Sequence, residues 1–531
     1  MRLELFALPV FVAIAQAADY SGPLRPQVHF SPPQGFMNDP NGMFYDTKRS
    51  IYHLYYQCKW SSPSLSSVPS DANTDNPSEP VAGNQHWGHA TSSDLYHWTN
   101  HPPALEPDSS DHLIFSGSAV VDTENTSEFF PEQDDGVVAI YTVHSPTKET
   151  QHIAYSTDGG YTFTKYADNP VIDSHTDDFR DPKVIWHPET QKWVMFVAWA
   201  HAREIGIFTS PNLKYWTPTS NYSQPGLPGV EFECPNLVKF PVENAASNDA
   251  TKDVLFISVN PGAPLGGSGT FYVVGDFNGT HFNSEVDEST LYDFARDNYA
   301  SQWFYGLPES SRAVSIGWAS NWDYTEEVPT AREGWRSATA LPREHSLTKV
   351  DGAWTVTQMP FQALSSVRRD KLEDKTFSKG DVSIDFSGVV SNAIYFEVAI
   401  NGIPSSQSAG EISFNFTSSS SEEYLDGGFF FDTGLFWISR AGTHLFTRAD
   451  NADFAPDFNT TISASESGQF TFSGVIDRSV FEVFLDEGKH SGTMDFYSTS
   501  ALDALTVSAA ELDEKTTVDV RVWGLASGWD S

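Results

Sequence analysis

From residue 20 onward the chain shows little helical periodicity. Its apolar residues come in short aromatic and β-branched runs, such as IYHLYY at 51–56, GVVAIY at 136–141 and WVMFV at 193–197. Gly, Pro, Asn and Asp break these runs, a pattern that predicts strands joined by tight turns. One hairpin unit recurs, a turn sequence followed by an aromatic residue. The closing aromatics are Trp98, Phe163, Trp216, Phe282 and Trp354, spaced 65, 53, 66 and 72 residues apart. All-β units at that spacing predict propeller blades of about four strands, and five marks predict five blades. Asp-Gly and Asn-Gly hairpins also recur in unrelated all-β proteins, so on this pattern alone the alternative stays open.

A polar stretch, 366–379, follows and reads as a linker or solvated crossing segment. Beyond it the alternation becomes cleaner, as in AIYFEVAI at 393–400 and VFEVFL at 480–485, and predicts a β-sandwich over 380–531. The predicted fold is therefore all-β, a five-bladed propeller over 18–365 followed by a sandwich. Residues 1–17 have a basic start, an apolar run and a small-residue end, and read as a signal peptide. Sequons at Asn125, Asn221, Asn278, Asn415 and Asn459 fit a glycosylated protein, secreted to the extracellular space or cell wall.

Charge narrows the partners. With 31 Lys+Arg against 70 Asp+Glu the net charge is −39, a field that repels nucleic acid and anionic membranes. Hydrophobic residues are still 39%, which rules out wholesale disorder. The two cysteines, Cys58 and Cys234, read as free buried thiols. His86 and His89 read as structural histidines, and no metal or other cofactor is called for.

The remaining chemistry lies in carboxylates. Asp39 sits in Asn38-Asp39-Pro40-Asn41-Gly42, Asp181 in Arg180-Asp181-Pro182-Lys183, and Glu233 in Phe232-Glu233-Cys234-Pro235. Arg180 is expected to hold Asp181 ionised, and apolar neighbours to raise the pKa of Glu233. Each string is individually compatible with an ordinary turn, ion pair or edge-strand residue. Three acids at strand mouths on different blades could meet in a central cavity. Glycoside hydrolysis needs such a set: one acid to protonate the leaving oxygen, one carboxylate to attack or to activate water. Aromatic residues, 14% of the chain, supply platforms for sugar rings.

The strings MNDPNG at 37–42, FSGS at 115–118, FRDPK at 179–183 and ECP at 233–235 occur in the order that resembles glycoside hydrolase family 32. WGHATS at 87–92, SVNPGAP at 258–264 and GWASNW at 317–322 resemble its secreted fungal β-fructofuranosidases. The resemblance runs from His29 to about Tyr497. It implies a five-bladed propeller plus sandwich and release of terminal β-fructose from sucrose and short fructans. It implies Asp39 as nucleophile, Glu233 as acid/base and Asp181 as transition-state stabiliser. Phe36, Asn38, Gln57, Phe115, Ser116, Arg180 and Trp318 would line the fructose subsite. Phe36 stands where the family usually has Trp, and the loop 60–85 departs from the family and is expected at the leaving-group rim. Alternatives are a fructosyltransferase, an exo-inulinase, a silent sugar-binding protein and an inverting glycosidase acting on a pentose polymer such as arabinan. Homo-oligomerisation is left open.

Overall fold

The computed structural model describes residues 19–59, 83–245, 251–308, 311–404, 409–462 and 468–529. The leader at 1–17 and most of the loop 60–85 lie outside them. Among the described residues the chain is strand and turn, with two short 3₁₀ segments at Pro329–Glu333 and Gln362–Ser366. No helix there is long and apolar enough to cross a membrane.

Five antiparallel sheets of four or five strands follow one another up to Pro360. Their first strands are β1 (Gly35–Asp46), β2 (Leu113–Val121), β3 (Phe179–His187), β4 (Glu231–Pro241) and β5 (Tyr299–Trp303). These five strands touch in a closed cycle, β1 on β2, β2 on β3, β3 on β4, β4 on β5 and β5 on β1. A short parallel strand, Trp335–Arg336, pairs with Gly35 and Phe36 and fastens the end of the cycle to its beginning. The turn–aromatic units mark real boundaries: Trp98, Phe163, Trp216, Phe282 and Trp354 each stand at or next to the start of the outermost strand of one sheet.

The five first strands share a defect at the same level. In each, one extra residue slips into the pairing: between Met37 and Pro40, Ile114 and Gly117, Arg180 and Lys183, Glu233 and Asn236, and Tyr299 and Gln302. A bulge frees backbone polar groups that must be paired if buried. A belt of side chains does this. Asn41 Nδ2 donates to Asp39 O and its Oδ1 accepts from Gly117 N, both at 3.1 Å. Ser118 Oγ donates to Pro182 O at 2.8 Å and accepts from Val184 N at 3.0 Å. Lys183 Nζ donates to Trp303 O at 2.8 Å, Asn236 Nδ2 to Cys234 O at 3.1 Å, and Gln302 Nε2 to Gly117 O at 3.1 Å. Gly117 is required where it stands, because a Cβ there would collide with the Ile140 carbonyl oxygen.

Two six-stranded sheets follow. They enclose a core of Phe396, Phe414, Phe416, Phe472 and Phe481 with many branched aliphatics. The expected linker at 366–379 is corrected here. Arg368–Phe377 is strand β6, paired antiparallel with Thr517–Leu525 at the edge of the first of these sheets. Its charged side chains look like a solvated segment because an edge strand keeps charges exposed, which also blocks further pairing.

The two regions are joined by buried charge. Arg343 donates to Glu482 at 2.7 Å and lies 3.3 Å from Asp293, and Arg440 meets Asp297 at 3.0 Å. His29 lies 2.9 Å from Asp477 and 3.3 Å from Glu482. A shared apolar cluster, including Tyr56, Trp98, Leu364, Tyr395 and Phe484, continues the contact.

Candidate active site

The shared bulges place functional side chains at one level around the closed cycle of strands. A pocket of about 350 Å³ opens there, lined by Asn38, Asp39, Gln57, Gln85, Phe115, Ser116, Arg180, Asp181, Glu231, Glu233, Asn260 and Trp322. Four carboxylates line it, Asp39 on β1, Asp181 on β3 and Glu231 and Glu233 on β4; Asp39, Asp181 and Glu233 are the three that the sequence singled out.

Their partners differ. Asp39 Oδ2 accepts from Ser116 Oγ at 2.7 Å, while Oδ1 has no hydrogen-bond partner among the described residues. Asp181 Oδ2 accepts from the Cys234 backbone N–H at 3.0 Å, and Asp181 N donates to Thr142 Oγ1 at 3.1 Å. Asp181 and Cys234 hold positive φ angles of 65° and 47°, the backbone cost of the bulges that aim them inward. The Cys234 thiol lies 3.6 Å from Asp39 Oδ2 and 3.5 Å from Asp181 Oδ2 and so brings the two acids into one contact set. Burial, then the surrounding carboxylates, push its pKa well up, so it stays a donor. Glu233 accepts from Arg180 Nη1 at 3.0 Å and from the Tyr299 hydroxyl.

Burial raises all three carboxyl pKa values. For Asp39 it outweighs the hydrogen bonds from Ser116 and Asn38. For Asp181 the charges of Glu233 and Asp39 add to burial and Arg180 opposes them. For Glu233 burial prevails over Arg180 and Tyr299.

Arg180 was expected to hold Asp181 ionised. Its guanidinium hydrogen-bonds elsewhere, to Glu149 at 3.0 Å, Glu231 at 2.9 Å and Glu233. Arg180 and Asp181 both line the pocket, but the guanidinium is taken up by three glutamates, so adjacency in sequence did not make a hydrogen-bonded pair.

Comparison with known proteins matches this architecture. The family model for the N-terminal domain of glycosyl hydrolases family 32 covers residues 29–68 and 73–360, and that for the C-terminal domain covers 362–524. The chain belongs to glycosyl hydrolase family 32. An invertase from Wickerhamomyces anomalus is 36% identical, with 93% of each chain covered. An extracellular exo-inulinase from Meyerozyma guilliermondii is also 36% identical over 96% of each. The β-fructofuranosidase from Schwanniomyces occidentalis, solved with fructosyl-erythritol, superposes with a TM-score of 0.85 at 31% identity, over 97% of this chain and 99% of that one.

Of the residues that the family motifs pointed to, Asn38, Asp39, Gln57, Phe115, Ser116, Arg180, Asp181 and Glu233 line the pocket. Phe115 is set by Trp87, whose indole N–H donates to Phe115 O at 3.1 Å, and by stacking on His144 with ring centroids 4.6 Å apart. Phe36 and Trp318 are corrected. Both are buried behind the pocket wall, where Trp318 donates to Ser337 Oγ and its ring lies 4.9 Å from that of Trp322. Trp322 is the indole that reaches the pocket; the motif at 317–322 contains both, Trp318 inside the strand Ala313–Ala319 and Trp322 in the turn that follows it. Gln85, Glu231, Asn260 and Tyr299 were missed. Glu231 was legible, two residues before Glu233 on one strand face, while Tyr299 lies in a bulge without the proline that marks those of β1, β3 and β4. Cys58 and Cys234 are free and buried.

Proposed function

We propose that the protein is a secreted, retaining β-fructofuranosidase that releases terminal β-D-fructofuranosyl residues from sucrose and short fructans. The five cyclically packed sheets are the blades of a five-bladed propeller, and the following pair is its sandwich. The observation that carries this reading is the gathering of Asp39, Asp181 and Glu233 in one pocket, where Cys234 contacts both aspartates and Arg180 holds Glu233.

Asp39 is the nucleophile. Ser116 holds one of its oxygens, and Oδ1, which has no partner among the described residues, attacks C2 of the fructosyl ring. Glu233, its pKa raised by burial, gives its proton to the glycosidic oxygen as the C2–O bond breaks. The ester formed at Asp39 is then cleaved by water that surrenders its proton to Glu233, and fructose and free Asp39 result. Asp181, fixed by the Cys234 N–H, holds ring hydroxyls as oxocarbenium character develops, so its hydrogen bonds strengthen in the transition state. Asn38, Gln57 and Trp322 supply further contacts to the sugar.

Secretion is supported by the leader-like residues 1–17, by the sequons, of which Asn221, Asn278 and Asn459 are exposed, and by the relative named as extracellular. Similar proteins at equal identity are called invertase and exo-inulinase, so the bond class is assigned and its preferred donor is measured. Incubation of the purified protein with sucrose, kestose and inulin should release free fructose from the chain ends. Oligosaccharides outweighing fructose at high sucrose would replace this reading with a fructosyltransferase.

A further inference from the structure

The Arg180 guanidinium is divided among three carboxylates. Its Nε faces Glu149 at 3.0 Å, and its Nη1 serves two acids at once, Glu231 Oε2 at 2.9 Å and Glu233 Oε1 at 3.0 Å. Glu231 is held from the other side, where His201 Nε2 lies 2.9 Å from its Oε1. His201 in turn lies 3.8 Å from Asp178. Glu231 lines the pocket mouth yet both its oxygens are engaged by protein, so it is placed to act on Glu233 and not on the sugar.

A lone guanidinium on Glu233 would stabilise its carboxylate and make it a poor proton donor. We propose that Glu231 is a positioning residue that keeps Glu233 a proton donor, by claiming part of Arg180 and by setting a second negative charge beside it. This rests on the reading of Glu233 as the acid. Glu231 thereby sets the alkaline limit of activity. The groups facing Glu233 are Arg180 and Asp181 from β3, Tyr299 from β5, Asp39 from β1 and its own neighbours Cys234 and Glu231; Arg180 also faces Glu149, which His144 contacts at 3.1 Å. Among these, Glu231 is the carboxylate that shares a single nitrogen with Glu233, which makes it the one whose removal transfers Arg180 to the acid.

The test is the pH profile of kcat/KM for Glu231→Gln in the full-length protein, with sucrose and with p-nitrophenyl β-D-fructofuranoside, whose leaving group needs less protonation. The alkaline limb for sucrose should move down by about one pH unit, a roughly tenfold loss on that side, with a smaller loss for the aryl fructoside. Glu231→Asp, which keeps the charge, should restore most of the limb. An unmoved limb, or equal losses for both substrates at every pH, would overturn the proposal. Glu233→Ala tested on the same two substrates separates the two claims, because equal losses there would remove Glu233 from proton donation whatever Glu231 does.

Discussion

Two sets of buried acids, one at the junction with the sandwich and one in the pocket, are shifted in opposite directions. At the junction with the sandwich, Asp477 and Glu482 are fully buried, yet their pKa values are lowered: burial would raise them, but His29, Arg343 and backbone N–H groups prevail. In the pocket, Asp39 and Asp181 are buried, Glu233 is partly buried, and the pKa values of all three are raised. The cations that reach these acids differ. Arg343 and His29 serve Glu482 and Asp477 at the junction, whereas in the pocket Arg180 hydrogen-bonds Glu233 alone of the three and is shared with Glu149 and Glu231. Acids matched by cations stay ionised at the junction; those left short of cations are the ones that, in the proposed mechanism, bond carbon or give up a proton.

Three measurements would break or sharpen this contrast. Asp39→Asn should lower kcat on the order of 10⁴-fold, as loss of a nucleophile does, while thermal stability stays equal or rises because an under-partnered buried charge is gone. Activity and melting temperature falling together would erase the distinction. Arg343→Met leaves Asp293 buried without its cation and Glu482 with His29 alone, and should cost about 3–5 kcal/mol in denaturant unfolding. Turnover per folded molecule should be unchanged; a fall in kcat without a fall in stability would place Arg343 in the site's chemistry. The smallest effect is in pH. Burial lowers the pKa of His29, but hydrogen bonds and charge from Asp477 and Glu482 outweigh it and carry it from 6.5 to about 9. The folded state then binds the extra proton between those values, so this stabilisation is complete below pH 6.5 and lost as pH rises through about 9, about 3 kcal/mol in all. His29→Gln should flatten that dependence, and an unaltered slope would show that the pair is neutral in the native protein.

Much of this was legible in the chain because prolines and aromatics punctuate it. Asp39-Pro40, Asp181-Pro182 and Cys234-Pro235 stand at bulges where a missing N–H costs no ladder bond, so the motif and the geometry coincide. The fifth bulge, around Ala300 and Ser301, has no such mark, and Tyr299 escaped with it. Side-chain direction was hidden. Arg180 looked like a partner of Asp181 and reaches Glu233, while Trp318 looked like a wall residue and supports Trp322. Strand β6 was hidden for another reason, since its charges belong to an edge and mask the alternation that reveals an inner strand.

The parallel pairing of Gly35 and Phe36 with Trp335 and Arg336 also governs the order of events during synthesis. The strand that carries Asp39 leaves the ribosome among the first and finds this neighbour only after some three hundred further residues have emerged. A nascent chain therefore closes the cycle of sheets late, although the strand Ile51–Lys59 and Ser116, which hold Asp39 directly, emerge early.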